Sequence, residues 1–422
     1  MSELVFPAGF LWGTAVSAHQ TEGGNSNSDW WEWELRPGTQ CKDPSDTAID
    51  HYNRYGRDVA LLSGLGFNTY RLSVEWARIE PSEGKFDETE LEHYRRMVAA
   101  VRESKLIPMV TLNHFTLPIW VAKQGGWLSD ATPALFERYT RRVVEALGDT
   151  VEWYCTINEP GVVAFGGYLG ALAFPPGTKG VANWTKAIEG LVAGHRRALA
   201  AVKELRPSAR VGQTHAMQEW DSDPNSRTVL EYARRMNEDV FLEASKDDDF
   251  IGVQTYSRKM IELPPSVGPL TEADFTAEVV ENLIVPQMLG VQTDTHYSVR
   301  RTQTDWEWRP QAVAVTVQRV AELIPGTPIV VTEHGVATLD DAERIEFITD
   351  GLKALHPLIG QGIPLQGYIH WSAFDNFEWA MGYAMHFGLI GVDRTTQERT
   401  VKPSARFLGD IARNNALTLP DS

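Results

Sequence analysis

Cysteine is nearly absent: the 422 residues include two, Cys41 and Cys155. So widely spaced a pair is neither a CxxC metal clip nor a disulfide framework, and it fits a reducing compartment. Basic residues are in deficit, with 39 Lys and Arg against 56 Asp and Glu and a formal net charge of −17. Binding to nucleic acid or an anionic membrane needs the opposite balance, so neither partner is expected. A neutral small molecule is compatible with any net charge. The first Lys or Arg is Arg36, and Pro7 interrupts the apolar stretch from Leu4 to Ala18. The positive region of a secretory signal is therefore missing, and the chain reads as cytoplasmic. Long apolar runs are scarce too. Residues 161–178 carry no charge until Lys179, but five glycines and the Pro175-Pro176-Gly177 turn predict a loop and short buried helix, not a membrane span.

No Ser-, Gly- or Pro-rich linker, low-complexity tract or repeat of 20 to 50 residues divides the chain, which predicts one domain over 1–422. With 43% hydrophobic residues and 14 tryptophans, a large core is available. Eight β-branched or aromatic runs recur: Phe10–Ala15, Asn68–Val74, Ile107–Asn113, Val151–Ile157, Arg210–His215, Phe250–Tyr256, Pro328–Thr332 and Leu365–Trp371. Between them, Leu91–Ser104, Pro133–Leu147, Trp184–Leu205, Ser226–Glu243 and Arg344–His356 place apolar residues at three- and four-residue spacings, as amphipathic helices do. Eight strands with helical crossovers predict an α/β fold, a single (β/α)8 barrel whose site lies at the C-terminal ends of the strands. An open doubly wound sheet is the rival; no strand is followed by a Gly-rich phosphate turn. His19, His195, His215, His296, His356 and His370 show no HxH or HExxH spacing and are read as structural, with no metal expected.

Two strand ends finish in glutamate: Thr156-Ile157-Asn158-Glu159-Pro160 after the fourth run and Val331-Thr332-Glu333-His334-Gly335 after the seventh. In a barrel both carboxylates point into one mouth. A glutamate at such a place is ordinarily solvated or salt-bridged. A pair at one mouth also matches what glycoside hydrolysis requires, a proton for the leaving oxygen and an anion for the oxocarbenium-like carbon.

Five motifs, in order, give the sequence a family resemblance. They are Phe10-Leu11-Trp12-Gly13-Thr14-Ala15 with Gln20-Thr21-Glu22-Gly23, Tyr70-Arg71-Leu72-Ser73, the Asn158-Glu159-Pro160 segment, Thr332-Glu333-His334-Gly335, and Trp371 through Trp379. Over nearly its whole length the chain resembles glycoside hydrolase family 1. The resemblance implies a retaining β-glycosidase, β-glucosidase above all, with β-galactosides and β-fucosides as further substrates and no cofactor. It implies Glu159 as acid/base and Glu333 as nucleophile, Arg71 and Tyr256 as the groups orienting Glu333, and Asn158 as a ligand of the sugar 2-hydroxyl. Gln20, His114, Glu378 and Trp379 are implied as hydroxyl ligands, Trp371 as the stacking floor and Phe387 as a pocket aromatic.

The chain departs from the family pattern at Phe115, Gln254, His334 and His386, and Glu75 is read as a partner of Arg78. Glu378, where members acting on 6-phosphorylated sugars carry a small residue, implies an unphosphorylated glycone. The stretch between Ser257 and Pro328 reads as an insertion bearing Tyr297, Trp306 and Trp308, a place where substrate specificity is expected to lie. The same catalytic pair also suits a transglycosidase, and a degenerate sugar-binding barrel without activity is the alternative from another class. The motifs carry no information on oligomeric state.

Overall fold

Eight short runs, apolar on both faces, can satisfy their backbone only by pairing side by side beneath a layer of helices. In the computed structural model, which describes residues 2–170, 173–289 and 299–419, they close into a parallel barrel. Its strands are β1 (Leu11–Ala15), β2 (Thr69–Ser73), β3 (Ile107–Asn113), β4 (Trp153–Asn158), β5 (Arg210–Ala216), β6 (Ile251–Gln254), β7 (Ile329–His334) and β8 (Leu365–Trp371). Neighbours pair in chain order, and β8 closes on β1. The expected (β/α)8 barrel is the observed one.

The helical layer consists of α1 (His51–Leu65), α2 (Glu88–Glu103), α3 (Thr132–Leu147), α4 (Val181–Leu205), α5 (Arg227–Arg234), α6 (Ala312–Leu323), α7 (Asp341–Gly360) and α8 (Pro403–Asn414). Asp87 caps α2 by accepting from the Thr89 and Glu90 amides, and Asp340 caps α7 through the Ala342 amide. The sequence pattern locates α2, α3, α4 and α7 but passes over α1, α6 and α8. In α1 the apolar stripe is thin, with Val59, Leu62 and Leu65 buried beside the polar His51 and Asp58. The stretch expected from Ser226 to Glu243 is broken after α5 by a π-helical turn, Arg235–Asp239, before Val240–Ala244 resumes.

Inside the barrel a separate apolar cluster includes Leu11, Met109, Trp153, Cys155, Phe250, Val330 and Ile369. Trp153 meets Phe250 edge-on with ring centres 5.0 Å apart, and the Arg210 guanidinium covers the Trp153 ring at 4.8 Å. These residues plug the N-terminal end of the strands, so the open mouth is the C-terminal end. Truncating Trp153 to alanine would cost roughly 3–5 kcal/mol, the range for a large buried aromatic.

The span between Ser257 and Pro328 is only partly an insertion. It supplies the strand Arg258–Ile261, which pairs in parallel with Glu219–Ser222, then short helical turns, and it ends in α6, an ordinary barrel crossover. Tyr297 and His296 lie outside the described residues. The uncharged 161–178 stretch opens with a helical turn, Pro160–Val163, and a π-helical turn, Ala164–Tyr168, both largely buried. Among the described residues no helix is long and apolar enough to cross a membrane.

Candidate active site

Strand alternation sends Glu333 and His334, the last two residues of β7, to opposite sides. Glu333 faces the mouth; His334 turns outward, its Nδ1 2.9 Å from Tyr368 Oη and its Nε2 3.2 Å from the Pro310 carbonyl. The ladder loses regular register between Val331 and Glu333 on β7 and between Cys155 and Asn158 on β4, just ahead of the two motif ends. Such irregularities re-aim side chains beside active sites. Gly335 follows because the chain passes close to β8: a Cβ there would lie 2.0 Å from the Trp371 carbonyl oxygen.

Arg71, wholly buried on β2, joins three strands. Its Nη1 donates to Glu333 Oε1 at 2.5 Å, its Nη2 to Asn158 Oδ1 at 2.5 Å and its Nε to Thr111 Oγ1 at 3.1 Å. Tyr256 Oη donates to Glu333 Oε2 at 2.5 Å. Gln254 Nε2 completes the cradle, 2.9 Å from Glu333 Oε1 and 3.0 Å from Asn158 Oδ1. With Asn158 Oδ1 taken up by Arg71, Gln254 and Thr214, its amide nitrogen is the polar end left toward the cavity, 3.4 Å from His114 Nε2.

Glu159 stands where β4 turns into the helix beginning at Pro160, with φ 46° and its amide donating to the Thr214 carbonyl at 2.8 Å. A non-glycine residue in this left-handed region, held before proline, is uncommon and clusters at functional sites. Its carboxyl is pushed well above the ordinary range by burial, then by the charges of Glu333 and Glu378, with Arg71 opposing. Burial raises Glu333 as well, but Arg71 and the Tyr256 hydroxyl oppose it, so Glu333 is raised less than Glu159. The arrangement therefore favours a proton on Glu159 over one on Glu333.

Both carboxyls open on a cavity of about 500 Å³ whose wall also includes His114, Asn158, Tyr256, Trp371, Glu378, Trp379 and Phe387. His114 lies nearly parallel to Trp371 and Trp379, at interplanar angles of 14° and 11°. Burial, then Arg71, holds it well below the ordinary histidine range, so it is a neutral donor or acceptor. Glu378 is pushed up to about 8 by burial and by Glu333, against hydrogen bonds from Trp371 and Gln20. Among the described residues no three His, Cys, Asp or Glu side chains gather to hold a metal.

Two expected site residues stand behind this wall instead of on it. Arg71 reaches the cavity only through Glu333 and Asn158. Gln20 is fully buried, donating to the Phe377 carbonyl at 2.7 Å and to Glu378 Oε2 at 3.4 Å while accepting from Ser17 Oγ at 2.7 Å. It positions Glu378. Of the departures from the motif pattern, Phe115 lines the cavity and packs on Trp379 and Phe174, and Gln254 joins the cradle. His334 and His386 face elsewhere; His386 Nδ1 is 3.4 Å from Asp375 Oδ2. Glu75 is not the ion-pair partner expected: it accepts from Thr116 Oγ1 and the Ala77 amide, and Arg78 pairs with Glu22 at 3.0 Å. Trp306 lines the cavity, whereas Trp308 packs edge-on against Phe347 beneath Arg300.

The family model for glycosyl hydrolase family 1 matches residues 2–244 and 234–417. The chain belongs to glycosyl hydrolase family 1. It is a glycoside hydrolase, a retaining β-glycosidase. β-Glucosidase A of Thermotoga maritima is 29% identical over 98% of both chains. A bifunctional β-D-glucosidase/β-D-fucosidase of Bifidobacterium breve is 31% identical over 96% of this chain and 99% of its own. The crystal structure of β-glycosidase BGL167 is 40% identical and superposes with a TM-score of 0.84 over 99% of both chains. Gln254, marked in the sequence only as a departure from the family pattern, is the member of the glycosyl hydrolase family 1 cradle to which the motifs assign no role. Its place at the end of β6, beside Tyr256, was the available signal.

Proposed function

We propose that the enzyme hydrolyses unphosphorylated β-D-glycosides by double displacement, with Glu333 as nucleophile and Glu159 as acid/base. The observation that carries this is the asymmetry between the two carboxyls. Glu333 accepts from Arg71, Tyr256 and Gln254, which hold it anionic and aimed, while Glu159, half-buried at the cavity wall, stands beside two other carboxyls that favour its protonation. Glu333 attacks the anomeric carbon as Glu159 protonates the departing oxygen. Having given up its proton, Glu159 stays ionised because Glu333, now a neutral ester, no longer repels it, and it takes a proton from the incoming water. These two residues supply every charge change, so the route calls on no metal or organic cofactor.

In this reading the Asn158 amide donates to the 2-hydroxyl, His114, Glu378 and Trp379 engage other glycone hydroxyls, Trp371 and Phe387 pack against the ring, and Gln20 acts through Glu378. A 6-phosphate would be set against Glu378, which offers its charge no cationic partner whether the carboxyl is ionised or protonated. Glucosides are the leading substrates, with galactosides and fucosides as further ones, in keeping with the Thermotoga and Bifidobacterium relatives. One domain over 1–422 and a cytoplasmic setting complete the proposal; the two free cysteines, one of them buried, support the latter. The deciding experiment is kcat/KM on matched aryl β-glucosides with and without a 6-phosphate. Faster cleavage of the phosphorylated member, or of neither, rejects the assignment.

A further inference from the structure

Glu75 is a buried carboxyl two residues beyond β2, and Arg78, the cation expected beside it, is drawn to Glu22 at 3.0 Å. A carboxyl taken out of water is costly unless its oxygens find partners. The short helix it starts, Trp76–Ile79, supplies one, the Ala77 amide at 3.2 Å. The other comes from the segment after β3, where Thr116 Oγ1 donates to Glu75 and lies 3.0 Å from each of its oxygens.

That segment is strained. The Thr116 amide donates back to the His114 carbonyl at 2.9 Å, closing a three-residue turn around Phe115, whose φ is 72°. A turn of this kind is rare, and a bulky side chain in the left-handed region is rarer still. Such strain persists only where the surroundings over-determine the backbone. Here the Thr116 hydroxyl is held by Glu75, the Thr116 carbonyl accepts from Asn113 Nδ2 at 2.8 Å, and the Leu117 amide donates to Asp29 Oδ1 at 2.8 Å. The turn has a consequence for the site: His114 and Phe115, neighbours that an extended strand would send to opposite faces, both reach the cavity wall.

His114 depends on this turn for its aim. Its Nδ1 is buried with no hydrogen-bond partner among the described residues, and its Nε2 has the Asn158 amide at a long 3.4 Å. The imidazole is therefore placed by its backbone and by the Trp371 and Trp379 rings that lie nearly parallel to it. We propose that Glu75 is a positioning residue for His114, acting through Thr116 and the strained turn, and that this tie fixes the imidazole against a glycone hydroxyl. The proposal rests on the reading of His114 as a hydroxyl ligand.

The test is kcat/KM on an aryl β-glucoside, expressed per active site counted by the burst from a dinitrophenyl 2-fluoro glucoside, so that unfolded protein drops out. Thr116→Val removes the hydroxyl at nearly constant shape and should lose roughly tenfold, the consequence of a misaimed ligand. Thr116→Ser restores the hydroxyl and should stay within about threefold of the parent. Glu75→Ala should lose as much as Thr116→Val. Because these losses run through His114, Thr116→Val should cost less than about twofold in a His114→Ala background. A residue that only supports the fold would show the same factor in both backgrounds. Thr116→Val or Glu75→Ala within about threefold of the parent overturns the proposal, as does a Thr116→Val loss that persists in full in His114→Ala. His114→Ala on its own separates the two levels. A loss there alongside any of those results rejects the positioning role alone, whereas His114→Ala at the parent rate rejects the reading of His114 beneath it.

Discussion

Arg71 Nη1 and Glu333 Oε1 form an ion pair of 2.5 Å, with the two side chains 1% and 5% exposed. A pair so buried is held by geometry and shared hydrogen bonds, and removing one partner leaves an uncompensated charge. The same guanidinium fixes Asn158, so Arg71 sets the nucleophile and its neighbouring amide relative to each other.

Arg71→Met should therefore do more than slow turnover. Arg71 lowers the Glu333 carboxyl, so its loss lets burial raise it, and Glu333 becomes anionic only at higher pH. We expect kcat/KM to fall by at least roughly 100-fold and its acidic limb to move upward. Tyr256→Phe removes one donor to the same carboxylate and should shift the limb the same way, with a loss of roughly 10- to 100-fold. Profiles whose acidic limbs stay in place would show that Glu333 is not the group whose ionisation they report.

The proton on Glu159 gives an independent check. Burial is the largest cause of its raised carboxyl and the charge of Glu333 the next. Esterifying Glu333 with a 2-fluoro glycosyl group removes that charge, so the Glu159 carboxyl should titrate lower in the trapped intermediate than in the free enzyme. Carbon-13 NMR of labelled glutamate follows it directly. An unchanged or higher midpoint would mean that the two carboxyls do not communicate.

Much of this was legible from sequence because barrel strands announce themselves as short apolar runs, and catalytic side chains sit where those runs stop. Ile107–Asn113 and Leu365–Trp371 have the predicted boundaries to the residue. Three helices escaped, α1 because His51 and Asp58 interrupt its buried stripe, and α6 because it was folded into a supposed insertion. Within the site, residue type did not reveal depth. Gln20 has the chemistry of a sugar ligand, yet its amide is spent on Phe377, Ser17 and Glu378. Glu75 next to a nearby arginine looks like an ion pair, but Arg78 turns instead to Glu22, 3.0 Å away.

His334 ties the fold to pH. It is buried, pushed down to about 3 by that burial, and its nitrogens are used by Tyr368 and the Pro310 carbonyl as a neutral ring uses them. In the unfolded chain it binds a proton below about 6.5, and in the native state it does not, so its contribution to stability is lost as pH falls from about 6.5 toward 3. Between pH 7.5 and pH 5 this removes about 2 kcal/mol. His334→Asn should flatten that part of the stability curve, measured by urea unfolding at the two pH values. An equal loss in parent and variant would place the acid sensitivity elsewhere.

The roles of the two glutamates separate most sharply by leaving group and by the anomer formed with azide. Glu333→Ala deletes the nucleophile, so even a dinitrophenyl glycoside should react slower by many orders of magnitude. Glu159→Ala deletes only the proton donor. A dinitrophenolate needs no proton to depart, so the glycosyl-enzyme should still form from that substrate, while an alkyl glycoside stalls at the first step. Hydrolysis of the intermediate then lacks its base, and azide, already an anion, should restore turnover by displacing Glu333 from the β face to give a β-glycosyl azide. In Glu333→Ala the space left by the carboxylate lies on the opposite face, so azide attacks the substrate itself and an α-glycosyl azide is expected. Proton NMR of the anomeric coupling distinguishes the products. The same anomer from both variants, or equal losses on every leaving group, would show that Glu159 and Glu333 do not divide the work as assigned.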